Sequence, residues 1–246
     1  WRATFLPYWL GLVTAVAVWI VLPRSRSRRD VRIPDQVKEA GGFLRSSRVL
    51  FSMGTGVVVF ILIFGLFLTA LPLHLEREFG LGATARGVML GLPAITSTIA
   101  ALSLGHLVAR HGQRPLILFA MGLFGVAFVT IGVAPALPFL VAGALLYGLG
   151  EGLTIPSLQD VVAGAAPASS RGSVVAVWVG GVRAGQTAGP VMAGALVAGI
   201  GAPGTFVAGA GLAVALLVLL VLTGQPRTVD TPVAVVHDGR AGAPAG

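Results

Sequence analysis

From Ala184 to Pro226 the chain runs 43 residues without an Asp, Glu, Lys or Arg, and from Pro115 to Gly150 it runs another 36. At about 1.5 Å per helical residue, each stretch can cross a ~30 Å hydrocarbon layer twice, so each reads as a helical hairpin in a membrane. The rest of the composition agrees. Only 11% of the 246 residues are Asp, Glu, Lys or Arg, against roughly 25% in a soluble domain, and 55% are hydrophobic. A mean hydropathy of +0.90 means more apolar surface than one aqueous core can hide, which excludes an ordinary soluble fold.

Charge and cysteine content remove further classes. The formal net charge of +8 would suit a nucleic-acid binder, but seven of the seventeen Lys and Arg residues lie between Arg24 and Arg45, beside an apolar span. A membrane-flanking role accounts for that bunching, and no nucleic-acid partner is expected. With no cysteine there is no disulfide framework, thiolate nucleophile or Cys-based metal site. The chain begins with Trp1, and no basic region or small-residue cleavage site precedes the first apolar run. It therefore reads as truncated at its N-terminus and not as starting with a signal peptide.

Seven apolar spans follow, separated by charge or by Pro and Gly. They run from Phe5 to Leu22, Val49 to about Leu73, Val88 to Val108, Pro115 to about Val133, Phe139 to about Leu158, Ser173 to Gly199, and Thr205 to Leu222. Trp1, Tyr8, Trp9 and Trp19 sit near the ends of the first, as interfacial anchors. A basic connector (24–48) joins the first span to the second, a Pro-rich turn at Ala134 to Pro138 joins the fourth to the fifth, and a polar tail (224–246) reads as disordered. Basic residues resist translocation. The connector, with eight of them, shares one side with Arg110, Arg114, Arg171, Arg227 and Arg240, whereas Arg2, Arg77 and Arg86 lie on the other. The connector, the tail and the C-terminus are accordingly placed in the cytoplasm.

The fourth and seventh spans are nearly all aliphatic and glycyl, as suits lipid contact. The fifth and sixth carry Glu151, Gln159, Arg183, Gln186 and Thr187, with Pro156 and Pro190. Glu151 lies ~18 Å from the Phe139 end of its helix and Arg183 ~15 Å from the Ser173 end, so both fall near mid-depth. A charge there is costly and needs a partner, a watery cavity or neutralisation. Two readings stay open: a fixed structural ion pair, or a substrate or proton pathway through Glu151, Arg183 and Gln186.

The loop after the third span reads Gly105-His-Leu-Val-Ala-Arg110-His-Gly112-Gln-Arg114-Pro115. It resembles the signature loop of the major facilitator superfamily, which joins the second and third helices of each six-helix half. Ala109 stands where that loop has aspartate, as in a degenerate second-half copy. Gly112 permits the reversal, and Arg110 and Arg114 hold the loop at the membrane face, as topology anchors or as a conformational switch. In the sixth span, Gly185-Gln-Thr-Ala-Gly189-Pro190-Val-Met-Ala-Gly194 resembles the glycine-proline stretch of proton-driven antiporters in that superfamily. Gly185, Gly189 and Ala193 form a small-residue stripe for close packing, and Pro190 bends the helix. Weaker similarity to drug-exporter members runs through Trp1 to Phe5, Leu71 to Leu75 and Ala166 to Gly172.

The resemblance implies an all-α integral membrane protein with seven transmembrane helices. Residues 1–23 would be helix 6 of the family's twelve, and 49–223 the C-terminal six-helix bundle of a major facilitator fold. It further implies a secondary transporter of a bacterial plasma membrane, with a small-molecule substrate, protons and lipid as partners, and a missing N-terminal half of the same protein. Proton-coupled efflux of hydrophobic or amphipathic compounds is the favoured expectation, with proton-coupled uptake of a metabolite, or a non-transporting seven-helix receptor or scaffold, as the alternatives. No cofactor, metal or catalytic residue is expected. A retinal protein is set aside because Lys38, the sole lysine, lies in the connector, and no paired-carboxylate, zinc or serine-elbow constellation suggests an enzyme. Gly148-Leu-Gly150-Glu-Gly152 is read as close helix packing, since no strand precedes it and no lysine follows. His74, His106, His111 and His237 are assigned to solvated positions at membrane edges or in the tail.

Overall fold

A computed structural model describes residues 8–21, 47–166 and 171–223. Most of the basic connector, the polar tail and the segments 1–7 and 167–170 lie outside the described residues. The described chain is helical throughout. α1 (Tyr8–Val21) covers most of the first expected span and belongs to a unit of its own. The second unit begins with α2 (Ser47–Ile61), so Arg48, expected in the connector, is already helical. α2 continues through a π-helical segment, Leu62–Ala70, into α3 (Leu71–Arg77). In that segment the bonds reach back five residues, from the Leu71 amide to the Leu66 carbonyl and from the Thr69 hydroxyl to the Phe64 carbonyl at 2.7 Å. Such wide turns are rare and concentrate where function needs a displaced side chain.

α4 (Ala83–Gly91) and α5 (Pro93–His111) meet at Pro93, which has no N–H to continue the ladder. α6 (Gln113–Gly132) starts directly after Gly112, whose φ of 81° is the left-handed backbone that glycine adopts without strain. α7 (Leu137–Ala165) begins inside the Pro-rich turn, two residues earlier than Phe139, and continues past Leu158 to Ala165. α8 (Arg171–Thr223) is one label for two arms, because Gly201 at φ 75°, ψ 170° breaks it.

Contacts establish that the chain reverses there. The first arm keeps step with the α2–α3 rod, Gly181 facing Met53, Gly185 facing Val57 and Gly189 facing Gly65. The second arm meets the same rod in the opposite order, Phe206 beside His74 and Gly209 against Leu66. Five helices among the described residues are long and apolar enough to cross a membrane, α8 being the one folded at Gly201.

The centre of this unit is aromatic. Tyr147 of α7 stacks on Phe67 of the π segment with ring centroids 4.0 Å apart and planes 3° from parallel. Phe124 and Phe128 of α6 flank it at 5.5 and 5.9 Å. This is why α6, for which composition suggests lipid contact, is half buried. The α4–α5 span is the open one: only 22% of its apolar stretch is enclosed, and Leu102 is 82% exposed.

Candidate functional site

Three elements line an open cavity of about 490 Å³: the π segment through Ile63, Phe67 and Leu68, α4–α5 chiefly through Pro93, Ser97 and Thr98, and α7 through Tyr147, Glu151 and Pro156. Their approach depends on α7 presenting no side chain toward α5. A Cβ on Gly152 would lie 2.8 Å from the Ser97 Cα, and one on Gly148 2.8 Å from the Pro93 Cα, closer than van der Waals contact allows. The Thr96 hydroxyl ties the two helices by donating to the Leu145 carbonyl at 2.8 Å. The Gly148 to Gly152 run is thus the seam beside the cavity.

The cavity has one carboxylate, Glu151, and no basic side chain in its lining. Its walls are apolar apart from Ser97, Thr98, the Tyr147 phenol and that carboxylate. Pro156 has no N–H to give the Gly152 carbonyl its usual helical bond, which adds acceptor character at the residue directly after Glu151. An apolar chamber with few polar groups converging on it is the usual form of a small-molecule site.

Arg183 and Gln186 are elsewhere. They lie on the first arm of α8, where the Arg183 Nη1 donates to the Gln186 Oε1 at 3.3 Å and Arg183 is exposed on the surface of this unit. Among the described residues Glu151 and Arg183 form no ion pair; the pair found there joins Arg86 to Glu76. Gly185 and Gly189 are buried, and a Cβ would lie 3.0 Å from the Val57 carbonyl carbon and 2.9 Å from the Gly65 nitrogen respectively. Gly194 faces open space, and the helix runs through Pro190 without a break in its pattern.

At the other end of the bundle, Gly112 turns the chain between α5 and α6, its amide bonded to the Val108 carbonyl at 2.8 Å. Arg114 donates to the Val221 carbonyl at 3.4 Å, in the last turns of α8, and Gln113 donates to Asp160 of α7 at 3.3 Å. The loop therefore holds the ends of two other helices, through residues on its α6 side. Arg110 and Gly105 are exposed, with open space around Gly105.

Sequence reading missed Phe67, Tyr147, Ser97 and His74. Tyr147 had a signal, four residues before Glu151 on the same helical face, and Ser97 another, in the only Thr-Ser-Thr run of an apolar span. Phe67 had none, because the π segment shifts the register by which its direction would be counted. His74 is 2% exposed, contrary to its assignment to a solvated edge, because Phe79 and Phe206 close over it.

A helical bundle with a mid-bundle cavity and an α5–α6 loop of this form defines a membrane carrier class, and comparison with known proteins names it. The chain belongs to the Major Facilitator Superfamily, whose model matches residues 53–243. It is 29% identical over 52% of its length to the multidrug efflux pump LfrA of Mycolicibacterium smegmatis, covering 25% of that protein. It is 28% identical over 63% of its length to the human proton myo-inositol cotransporter, covering 22% of it. Among solved structures it is similar to the human organic anion transporter MFSD10, with a TM-score of 0.60 and 25% identity over 69% of this chain and 40% of that one. The chain thus spans about a quarter of the curated relatives it matches. Carriers of this family are generally not enzymes.

Proposed function

We propose that this chain forms the second six-helix half, with the preceding helix, of a twelve-helix carrier that exports hydrophobic or amphipathic molecules in exchange for protons. The observation that carries the reading is the cavity, where one carboxylate faces a stacked aromatic pair in apolar walls. Glu151 is the proton or substrate group in this reading. Substrate meets Phe67 and Tyr147, and access alternates as this half rocks against the other. Arg183, exposed on this unit, and the half-buried Gln186 bonded to it face the other half. The loop through Gly105, Arg110, Gly112 and Arg114 is the cytoplasmic switch, and Gly185, Gly189 and Pro190 belong to packing and bending of the first arm, whose Gly194 faces open space on this unit. The positive-inside bias supports placing Arg114 in the cytoplasm and His74 at the outer end of a plasma-membrane bundle. Similarity to an efflux pump supports the direction; similarity to a proton cotransporter supports proton-coupled uptake as a second reading.

The test is reconstitution of the full-length gene product in proteoliposomes under an imposed pH gradient. An amphipathic dye should move toward the acidic side, and Glu151→Gln should stop it at unchanged protein level. Dye flux equal in both proteins removes Glu151 from the pathway. Gradient-driven accumulation of labelled myo-inositol without dye movement selects uptake. Residues 1–246 reconstituted alone should move neither.

A further inference from the structure

We propose that His74 is a proton-responsive latch: binding a proton there releases the outer end of the α2–α3 rod from α6 and from the second arm of α8. This goes beyond the role given to Glu151 and rests only on the alternation of access.

His74 is 2% exposed, and neither ring nitrogen has a hydrogen-bond partner. The Phe79 ring meets it edge-on at 5.5 Å and Phe206 of α8 lies at 5.5 Å with planes 58° apart. The Ile131 carbonyl of α6 faces the imidazole, but not in bonding geometry. Three elements therefore close on one ring. Phe79 is held over it by the turn in which the Leu81 amide bonds the Leu75 carbonyl at 3.0 Å and Gly80 takes φ 62°. The Glu76–Arg86 ion pair straps that turn to α4.

A neutral imidazole always has one N–H donor and one lone pair, and burying both unpaired is a penalty that an apolar side chain of the same size would not incur. Packing therefore does not account for a histidine here. Protonation replaces the lone pair by a second N–H and adds a full charge, in a cage that offers no acceptor in bonding geometry. Attraction to the neighbouring aromatic rings offsets only part of that cost. Glu78, exposed just past the end of α3, is the carboxylate that acts on the ring. Glu76 is engaged by Arg86, Arg77 is exposed, and the facing stretches of α6 (125–133) and α8 (202–209) contain no ionisable residue. A proton on His74 is thus best accommodated by letting water and Glu78 reach the ring, which requires the rod to part from Ile131 and Phe206. Proton binding and outer-end closure oppose one another, and linkage makes external acid favour opening.

The experiment uses the full-length gene product with a cysteine at Thr205, which is fully buried beside Phe206, or at the exposed Thr84 as a reactivity reference. Labelling by a membrane-impermeant maleimide is measured in intact cells and in inverted vesicles, with the signal of the protein lacking the added cysteine subtracted. Using both preparations lets the pH reach the His74 end whichever side it faces. Thr84→Cys reacting only in inverted vesicles would overturn the orientation without touching the latch. The Thr205→Cys to Thr84→Cys labelling ratio should rise at least ~3-fold between about pH 7.5 and 5.5. It should be flat in His74→Phe, which fills the cage, and in His74→Gln, which stays polar but does not titrate. If the phenylalanine variant fails to accumulate, the glutamine variant decides. A flat ratio with His74 in place, or a rise that persists in either variant, overturns the latch. Flux is not read, so a failure of the Glu151 assignment leaves this outcome unaffected.

Discussion

The wall of α7 around Glu151 and the face of α8 around Arg183 present the same problem, a charge deep in an apolar helix, and solve it differently. Glu151 looks into an open cavity lined by two other elements of its own unit, with hydroxyls and an aromatic pair around it. Arg183 looks outward, its guanidinium held by Gln186 one turn along and by no carboxylate among the described residues. In the reading proposed above, the first receives the substrate and the second is completed by something outside this unit. Depth in the membrane gives two charges the same cost, and only their surroundings separate a binding site from an interface.

The largest expected effect tests that separation. In the full-length gene product Glu151→Gln should lower flux by about 100-fold or more, as loss of an essential proton-transfer group does. Were the two charges a structural pair, Glu151→Ala with Arg183→Ala would restore what either change removes. The structure predicts that the double variant transports no better than Glu151→Ala alone, measured in the same vesicles.

Next comes the contrast within the first arm of α8. Gly185→Leu should cost about 3 kcal/mol or prevent accumulation, since the Val57 main chain occupies the space. Gly194→Leu meets open space and should change stability by less than ~0.5 kcal/mol, read as thermal unfolding in detergent. Equal losses at both positions would mean that the seam with α2 is misplaced.

A smaller effect distinguishes the aromatic plate from the charge. Tyr147→Phe keeps the stack with Phe67 and should leave dye affinity within a few-fold, whereas Phe67→Ala removes a ring pair worth about 1 kcal/mol, or about 5-fold in affinity. A drop with Tyr147→Phe as large as that with Phe67→Ala would move the recognition role to the phenol. The smallest effect is at the loop: Arg114→Ala loses one long bond to the Val221 carbonyl and should lower stability by ~1 kcal/mol, with Arg110→Ala near zero.

Much of the helical framework was legible in the chain. The breaks at Gly112 and Ala134 to Pro138 fall where a positive φ and paired prolines put them, and the Gly199 to Thr205 gap between apolar runs encloses the reversal at Gly201. The Gly185 and Gly189 spacing pointed to close packing, and both are buried against the rod. Other features left no local mark. Nothing in Leu62–Ala70 distinguishes a π segment from an α-helix, yet the wider turn is part of what sets Phe67 against Tyr147. Gly194 belongs to the same motif as Gly189 but faces away, and His74 looks like an edge residue until Phe206, 132 positions later, covers it.

What the sequence by itself determined is where helices run and which stretches belong in lipid. Lipid acts on each segment by its summed transfer free energy, a quantity read residue by residue. What only the tertiary structure decided is which face of each helix meets which neighbour. That Ser97 lies against Gly152, that Glu151 opens on a cavity and Arg183 on the outside, and that His74 is sealed in an aromatic cage all depend on contacts between residues far apart in the chain. Such contacts are set by steric fit across helices, which no local pattern encodes.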